Sequence, residues 1–262
     1  MENTKGLLID IKRCVGCQAC EQACKQARGF PVEHEAQLSA TAFTVLEERE
    51  GKFVRKMCLH CEEPACASAC LVGALQKSPQ GPVTYDTKKC MGCRYCMIAC
   101  PQGVPKYEWT KLAPYVKKCD MCADRVRAGQ PTVCTEACPV QATVFGDRET
   151  LLKEAWERIR SDSSYVPHVY GAQEFGGTSV MFLSDVPFEK LGFVKPANGD
   201  IPVPILTSSA LGDTPTVIAI GGCILASLYW ITQRRNEVAA AEATDRERKT
   251  IERLSHEEET RS

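Results

Sequence analysis

The chain has 262 residues, and 32 lysines and arginines against 33 aspartates and glutamates give a formal net charge of -1. This balance excludes a strongly basic nucleic-acid-binding protein, and a hydrophobic content of 44% excludes a disordered chain. The same content excludes a polytopic membrane protein but leaves room for one spanning helix. The 17 cysteines are clustered rather than spread, which argues against a small disulfide scaffold.

Sixteen cysteines fall into four groups of four, and Cys223 is left over. Groups one and three have the spacing C-x2-C-x2-C-x3-C, group two has C-x2-C-x4-C-x3-C, and group four has C-x2-C-x11-C-x3-C. The first spacing is the bacterial ferredoxin pattern for [4Fe–4S] clusters, in which the fourth cysteine binds the partner cluster. The pattern therefore predicts paired [4Fe–4S] clusters. In chain order the groups are Cys14, Cys17, Cys20 and Cys24; Cys58, Cys61, Cys66 and Cys70; Cys90, Cys93, Cys96 and Cys100; and Cys119, Cys122, Cys134 and Cys138.

Zinc is the competing use of these cysteines. Structural zinc sites are usually built from two separated pairs of ligands, often with histidine. Here a third cysteine follows within a few residues in three of the four groups, and His60 is the one histidine inside a group. Disulfides are disfavoured because neighbouring cysteines in such tight loops make poor bridges. We expect His60 to pack within its loop rather than to bind iron.

A local repeat surrounds the groups. Each is preceded by a short extended segment and then by two basic residues, Lys12-Arg13, Arg55-Lys56, Lys88-Lys89 and Lys117-Lys118. Because a thiolate-bound cluster carries negative charge, nearby cations would stabilise its reduced form and raise its potential. The alternative is that these pairs are solvated loop residues. The extended segments are Leu7–Ile11, Phe53–Val54, Val83–Tyr85 and Tyr115–Val116.

A single apolar stretch lies near the C-terminus. Between Asp213 and Arg234 stand twenty uncharged residues, enough to cross a hydrocarbon layer of about 30 Å. We therefore predict a transmembrane helix over 211–233, although a buried core helix would pass the same test. Arg234 and Arg235 follow it, while 201–212 contain no lysine or arginine, so the positive-inside rule puts the C-terminus in the cytoplasm. Cys223 is then a small apolar residue of this span.

Beyond these patterns, the chain resembles a known family, the four-cluster iron–sulfur subunits of membrane-bound respiratory oxidoreductases. The stretches Met57–Cys61 and Gly176–Met181 resemble the beta subunit of quinone-linked formate dehydrogenase, and Cys93–Met97 and Val104–Tyr107 resemble the iron–sulfur subunit of quinone-linked [NiFe] hydrogenase. The first residues show no charged-then-apolar signal region. In the formate branch the subunit is exported with its catalytic partner, so this favours the formate branch.

The resemblance implies an α+β fold of two interleaved ferredoxin-like units with four [4Fe–4S] sites, plus one C-terminal transmembrane helix. The implied domains are a first unit over 1–53 and 112–160, an inserted unit over 54–111, a partner-contacting extension or linker over 161–210, the membrane helix over 211–233, and a charged tail over 234–262. Tyr107 and Trp109 are expected to be buried beside the clusters.

The resemblance also implies how the cysteines are shared between four [4Fe–4S] clusters. We call the four groups of ligands sets A to D. Set A is Cys14, Cys17, Cys20 and Cys138; set B is Cys24, Cys119, Cys122 and Cys134; set C is Cys58, Cys61, Cys66 and Cys100; and set D is Cys70, Cys90, Cys93 and Cys96.

No nucleotide fingerprint or acid–base motif is present, so we expect a non-catalytic subunit. The resemblance implies that it passes electrons from a catalytic subunit, a molybdopterin formate dehydrogenase first, to a membrane cytochrome b or quinone-reactive subunit. The alternatives are a [NiFe] hydrogenase or another molybdopterin enzyme as partner, and a stand-alone ferredoxin-like carrier. The expected location is the inner membrane, single-pass, with a periplasmic cluster domain, and a cytoplasm-facing complex is the alternative.

Overall fold

The computed structural model describes residues 4–109, 115–197 and 199–259, with backbone alone at 209, 252 and 254–259. The chain divides into two compact units, Met1–Leu206 and Thr207–Ser262. The predicted boundary between the inserted unit and the resumed first unit, at residues 111 and 112, lies outside the described residues. The nested division of the cysteine-bearing part stays a prediction.

Helices and short strands follow one another along the first unit. The strands are β1 (Lys5–Asp10), β2 (Thr44–Arg49), β3 (Lys52–Met57), β4 (Leu75–Lys77), β5 (Val83–Tyr85), β6 (Lys106–Tyr107), β7 (Val116–Lys117), β8 (Thr143–Asp147) and β9 (Val180–Leu183). The helices are α1 (Ala19–Ala27), α2 (Ala65–Ser68), α3 (Tyr95–Ala99), α4 (Ala123–Arg127), α5 (Val133–Glu136), α6 (Arg148–Ser161) and α7 (Val203–Glu259), with a 3-10 turn at Glu174–Gly176.

The main sheet has the strand order β8-β1-β9, with β1 antiparallel to β8 and parallel to β9. The middle strand carries Leu7, Leu8 and Ile9 in succession, and all three are buried. A strand covered on both faces reads as a continuous apolar run rather than as an alternating one. The sequence of β1 therefore fits its central place.

Two apolar cores lie on the opposite faces of β1, because successive strand residues point to opposite sides. Leu7 and Ile9 belong to a core that also contains Phe182 and several cysteines. Leu8 belongs to the other core, with Leu151 of α6. Helix α6 thus covers one face of the sheet, and the cysteine-bearing loops border the other.

Sequence-distant segments meet in pairs. Strand β1, which precedes group one, pairs with β8, which follows group four, and α1 packs against α5. Strand β4 pairs with β5 between groups two and three, and α2 packs against α3. Separate helices and mostly antiparallel strands make this an α+β architecture.

The extended segments predicted before the four groups are confirmed as β1, β3, β5 and β7. Strand β2, which no sequence pattern predicted, completes a hairpin with β3. Strand β9 lies inside the stretch predicted as an extension, yet it joins the main sheet beside β1. The same stretch supplies the buried rings of Tyr170, Phe175 and Phe188, so much of it belongs to the core.

The second unit consists of most of α7. Val203–Ile251 contains an 18-residue window of mean hydropathy 1.6, none of it buried within the chain, so by length and composition this helix can cross a membrane. It continues past the predicted limits of 211 and 233 on both sides. The tail after Arg235 is rich in alanine, glutamate and arginine, which favour the helix.

We expect Leu151→Ala to lower the free energy of unfolding by about 2–5 kcal/mol, the usual cost of truncating a buried leucine. Leu151 is covered between α6 and the sheet. Lys153→Ala, at an exposed position of the same helix, is the matched control. It should change the free energy of unfolding by less than about 0.5 kcal/mol. Anaerobic guanidinium titration followed by the fluorescence of Trp156 measures both. Equal unfolding midpoints for the two variants would contradict this packing.

Candidate functional site

The four cysteine groups share one backbone turn despite their different sequences. The residue directly before the second cysteine has a positive φ in each group: 70° at Gly16, 51° at His60, 73° at Gly92 and 54° at Met121. Glycine adopts this left-handed conformation freely, whereas it costs other residues about 1–2 kcal/mol. Because His60 and Met121 adopt it too, the turn is imposed by the surrounding site and not by the local sequence.

Set A lines one cavity. Its walls include Cys14, Cys17 and Cys20 from the loop after β1, and Cys138 from the segment before β8. The antiparallel pairing of β1 with β8 brings these two distant segments together. Burial raises the pKa of Cys14, and the neighbouring Cys138 and Cys17 raise it further.

Set D lines a second cavity of the same kind. Its walls include Cys90, Cys93 and Cys96 from group three, and Cys70 from the end of group two. The β4–β5 hairpin lies between these groups and brings Cys70 to the other three. Burial raises the pKa of Cys96 to about 11, with added contributions from the other three thiols.

Set C is gathered in the interior. Burial raises the pKa of Cys61, and the thiols of Cys58, Cys100 and Cys66 raise it further. Three of these cysteines come from group two and one from the end of group three. The packing of α2 against α3 brings the two segments together.

Set B completes the arrangement in the interior. Burial raises the pKa of Cys119, and Cys24 adds to it. The thiol of Cys134 likewise raises the pKa of Cys24 and of Cys122. Cys24 arrives on α1 and Cys134 on α5, and these two helices pack together.

Backbone N–H groups point at several thiols. Each donor follows its cysteine by two or four residues, so the turn that carries the cysteine also supplies the donor. Hydrogen bonds of this kind stabilise thiolate ligands and raise the potential of a bound cluster. The donor–acceptor pairs are Ala74 N to Cys70 Sγ (3.2 Å), Gly92 N to Cys90 Sγ (3.4 Å), Met121 N to Cys119 Sγ (3.3 Å) and Ala142 N to Cys138 Sγ (3.2 Å).

The donor sets fit [4Fe–4S] clusters. All seventeen cysteines carry free thiols, and a cubane takes four of them. Among the described residues, no three histidine, cysteine, aspartate or glutamate side chains converge on a point that could hold a single metal ion. Four thiols around a cavity suit a cubane better than the compact tetrahedron of zinc.

Cys134 differs from its neighbours. Burial would raise its pKa, but the charge of Arg55, with hydrogen bonds that include one from Thr132, lowers it below its ordinary value. The Thr132 Oγ1 lies 3.2 Å from the sulfur. Thr132 stands two residues before Cys134 and outside the cysteine spacing, so the spacing did not identify it.

The basic pairs do not share one role. Lys117 lies 3.6 Å from Glu108 and is partly exposed. Lys118 is buried, and its Nζ donates to the carbonyl oxygens of Val83 and Cys119. Lys118 also opposes the rise that burial causes in the pKa of Cys66, which belongs to group two. That Lys117 and Lys118 raise the reduction potential of a cluster stays a prediction. Of the two residues, Lys118 is the one that lies among the cysteines.

Two sequence expectations about side chains have different outcomes. His60 is fully buried and its Nδ1 accepts a hydrogen bond from the Val83 N–H at 2.8 Å, as a loop-packing role predicts. The expectation that Trp109 is buried is wrong, since 66% of it is exposed. Trp109 follows the two-residue strand β6 and stacks edge-on against Tyr107 at 5.0 Å, with Arg94 over its ring.

Neighbouring thiols link the sets in one order. Burial raises the pKa of Cys20 to about 11, and Cys134 of set B contributes to the rise. The rise at Cys119 of set B includes a contribution from Cys58 of set C. At Cys66 of set C, where burial raises the pKa to about 12, Cys96 of set D contributes. The order of neighbours is A–B–C–D.

The exposed thiols of this series lie at its two ends. Of the sixteen grouped cysteines, Cys17 in set A and Cys93 in set D are exposed. Exposed apolar residues stand within two sequence positions of each of them. Val15 lies beside Cys17, and Met91 and Tyr95 lie beside Cys93, all more than half exposed.

Comparison with known proteins gives a consistent result. Residues 49–148 match the family described as a 4Fe-4S dicluster domain, a range that contains groups two to four. A protein of Nitratidesulfovibrio vulgaris is 40% identical over 263 aligned positions, which cover 93% of this chain and 71% of that protein. The hydrogenase-2 operon protein HybA of Escherichia coli is 35% identical over 239 positions, covering 72% of this chain and 73% of HybA.

The iron–sulfur subunit of the nitrate-inducible formate dehydrogenase of Escherichia coli is also 35% identical, over 197 positions, which cover 67% of this chain and 66% of that subunit. Relatives of both the hydrogenase and the formate dehydrogenase type thus match most of the chain. The cysteine cavities and these similarities lead to the same conclusion. The chain belongs to the family of ferredoxin-like iron–sulfur electron-transfer subunits of membrane respiratory oxidoreductases.

Proposed function

We propose that this chain conducts electrons between a catalytic subunit and a quinone-reactive membrane subunit. The observation that carries the proposal is the series of four cysteine sets, in which neighbouring thiols link A to B, B to C and C to D. Bound [4Fe–4S] clusters would accept and donate single electrons at these sites. The chain holds the sites at fixed spacing and shields those in the middle from water.

Sets A to D are the proposed ligands of four [4Fe–4S] clusters. Each set takes three cysteines from one group and one from a partner group, as in a two-cluster ferredoxin. The pairing of groups one and four, and of groups two and three, is supported by the β1–β8 and β4–β5 pairings. We therefore propose two interleaved ferredoxin-like units, the second inserted in the first.

The two ends of the series are the proposed points of entry and exit. Cys17 and Cys93 are exposed, and exposed apolar residues lie two positions from each in the sequence. Exposed apolar patches on a soluble domain commonly mark contacts with other proteins. A stand-alone carrier needs one such docking face, whereas a subunit that passes electrons onward needs two. This favours the conducting subunit.

Two catalytic partners are candidates. The resemblance of Met57–Cys61 favours a molybdopterin formate dehydrogenase, and the HybA match, which covers 72% of the chain against 67% for the formate dehydrogenase subunit, favours a [NiFe] hydrogenase. Metal analysis of the complex purified anaerobically with this chain decides between them. Molybdenum or tungsten would show a pterin enzyme and favour the first, and nickel would identify the second.

Helix α7 is the proposed membrane anchor of the cytochrome b or quinone-reactive end of the complex. No part of its apolar window is buried among the described residues. Arg234 and Arg235 directly follow the uncharged stretch 214–233, and 201–212 contain no lysine or arginine. The positive-inside rule then places the C-terminus in the cytoplasm and the cysteine-bearing unit in the periplasm.

We expect the full chain to hold about sixteen iron atoms, four for each cluster. Cys138→Ala should lower the count by about one to four atoms, because set A loses one corner of its cluster. Cys223→Ala removes a thiol outside the four groups and serves as the matched control with an unchanged count. Iron and acid-labile sulfide assays on anaerobically purified protein measure all three. An unchanged iron count in Cys138→Ala would rule out set A.

A chain that ends at Leu206 should move from the membrane fraction to the soluble fraction, because it lacks the apolar helix. It should keep the iron content of the full chain, since the sixteen grouped cysteines precede its end. Fractionation with and without detergent, followed by an iron assay, measures both properties. A full chain that stays soluble without detergent would contradict the anchor.

A further inference from the structure

Arg55 is a buried cation, with 3% of its surface exposed. Its side chain leaves β3 and is held by two hydroxyl groups. The Nε donates to Thr44 Oγ1 at 2.8 Å and the Nη1 donates to Thr143 Oγ1 at 3.2 Å. Within the described part of the chain, its Nη2 has no hydrogen-bond partner. Two of the three guanidinium nitrogens are therefore anchored by neutral groups, and the guanidinium also interacts with the thiol of Cys134.

The charges around Arg55 belong to cysteines. Arg55 and Thr143 line the same cavity as the four cysteines of set A. Burial alone would lower the pKa of Arg55, but it is raised overall, chiefly by Cys134 and then by Cys20. A buried charge costs several kcal/mol unless an opposite charge compensates it. The neutral threonines do not supply that charge, so thiolates of sets A and B must do so.

We propose that Arg55 is the shared counter-cation of the clusters in sets A and B and that it raises the reduction potential of both. The inference rests on the proposed cluster assignment. Reduction adds one negative charge to a cluster, and a fixed positive charge in a low-dielectric interior stabilises that added charge. The hydroxyls of Thr44 and Thr143 hold the guanidinium in place, so it is a tuning residue with a defined position.

The sequence points to a different cluster. Arg55 stands three residues before Cys58, so its neighbour along the chain is set C. The strand, however, directs Arg55 and Lys56 to opposite sides, and Arg55 meets Cys134 and Cys20 of the other ferredoxin-like unit. A cation carried by the proposed inserted unit thus serves the pair of clusters in the proposed first unit.

Lys56 is the matched control on the same strand. Its Nζ donates to the carbonyl oxygen of Gly192 at 3.1 Å and lies 5.1 Å from the centre of the Phe193 ring. Neither contact belongs to the cavity of set A. Lys56→Gln therefore removes one positive charge from the next residue without touching the proposed clusters.

The test is a redox titration of the full chain in its complex, followed by electron paramagnetic resonance. Wild type, Arg55→Gln, Arg55→Lys and Lys56→Gln are compared, with iron content measured for each. The signals of sets A and B are identified by their change in Cys20→Ser and Cys134→Ser. Arg55→Gln should weaken reduction of both clusters at least tenfold, a downward shift of about 59 mV or more for a one-electron couple. Lys56→Gln should leave all potentials at their wild-type values.

Arg55→Lys keeps the charge and should keep the iron content, with a smaller shift than Arg55→Gln. Potentials in Arg55→Gln that equal those of Lys56→Gln would overturn the inference, as would a shift confined to sets C and D. If both Arg55 variants lose iron, the residue has a purely structural role and the inference is also overturned. A wild-type chain without iron would instead reject the proposed function itself.

Discussion

Closure of the cysteine sets is the constraint on which the rest of the structure depends. Each set joins three cysteines of one group with a fourth from a segment elsewhere in the chain, and closing such loops costs conformational entropy. The main sheet compensates for this cost in set A, because β1 and β8 hold the two segments side by side. Since thiolate ligation couples metal binding to folding, clusters bound at the proposed sets would stabilise the sheet in turn.

Charge sets the second constraint. Many thiols brought into one interior repel each other when ionised, and burial raises the pKa of most of them, Cys61 and Cys119 among them. The cations among the thiols include Arg28 beside Cys24, Arg55 beside Cys134, Lys118 near Cys66 and Lys77 near Cys61. Arg28 is also paired with Asp120, whereas Arg55 and Lys118 are held by hydroxyl and carbonyl oxygens. Arg28 therefore interacts with both a carboxylate and a cysteine, whereas hydrogen bonds to neutral groups hold Arg55 and Lys118 near the cysteines.

Local patterns in the sequence predicted local structure well. The strands before the four groups follow from short apolar runs, and the cysteine loops follow from the ferredoxin spacing. Long-range placements were harder to predict. Strand β9 lies in a glycine- and proline-rich stretch and is fixed by its pairing with β1. Which cysteines Arg55 contacts depends on which face of β3 borders which cavity. Its position three residues before Cys58 had indicated set C instead. Trp109 was expected to be buried beside the clusters, but it follows β6 with 66% of its surface exposed.

The proposed nesting of the two ferredoxin-like units gives a physical reason for a single series of sites. Two separate units, joined end to end, would hold two isolated pairs of clusters. Here Cys119 of set B neighbours Cys58 of set C, and Lys118, the residue before Cys119, reaches across to the carbonyl oxygen of Val83 on β5. Because Cys119 and Cys58 meet where the proposed units contact each other, the interior sets are neighbours and the exposed thiols, Cys17 and Cys93, lie at the ends. A series that is closed in the middle and open at both ends is what a subunit between two redox partners needs.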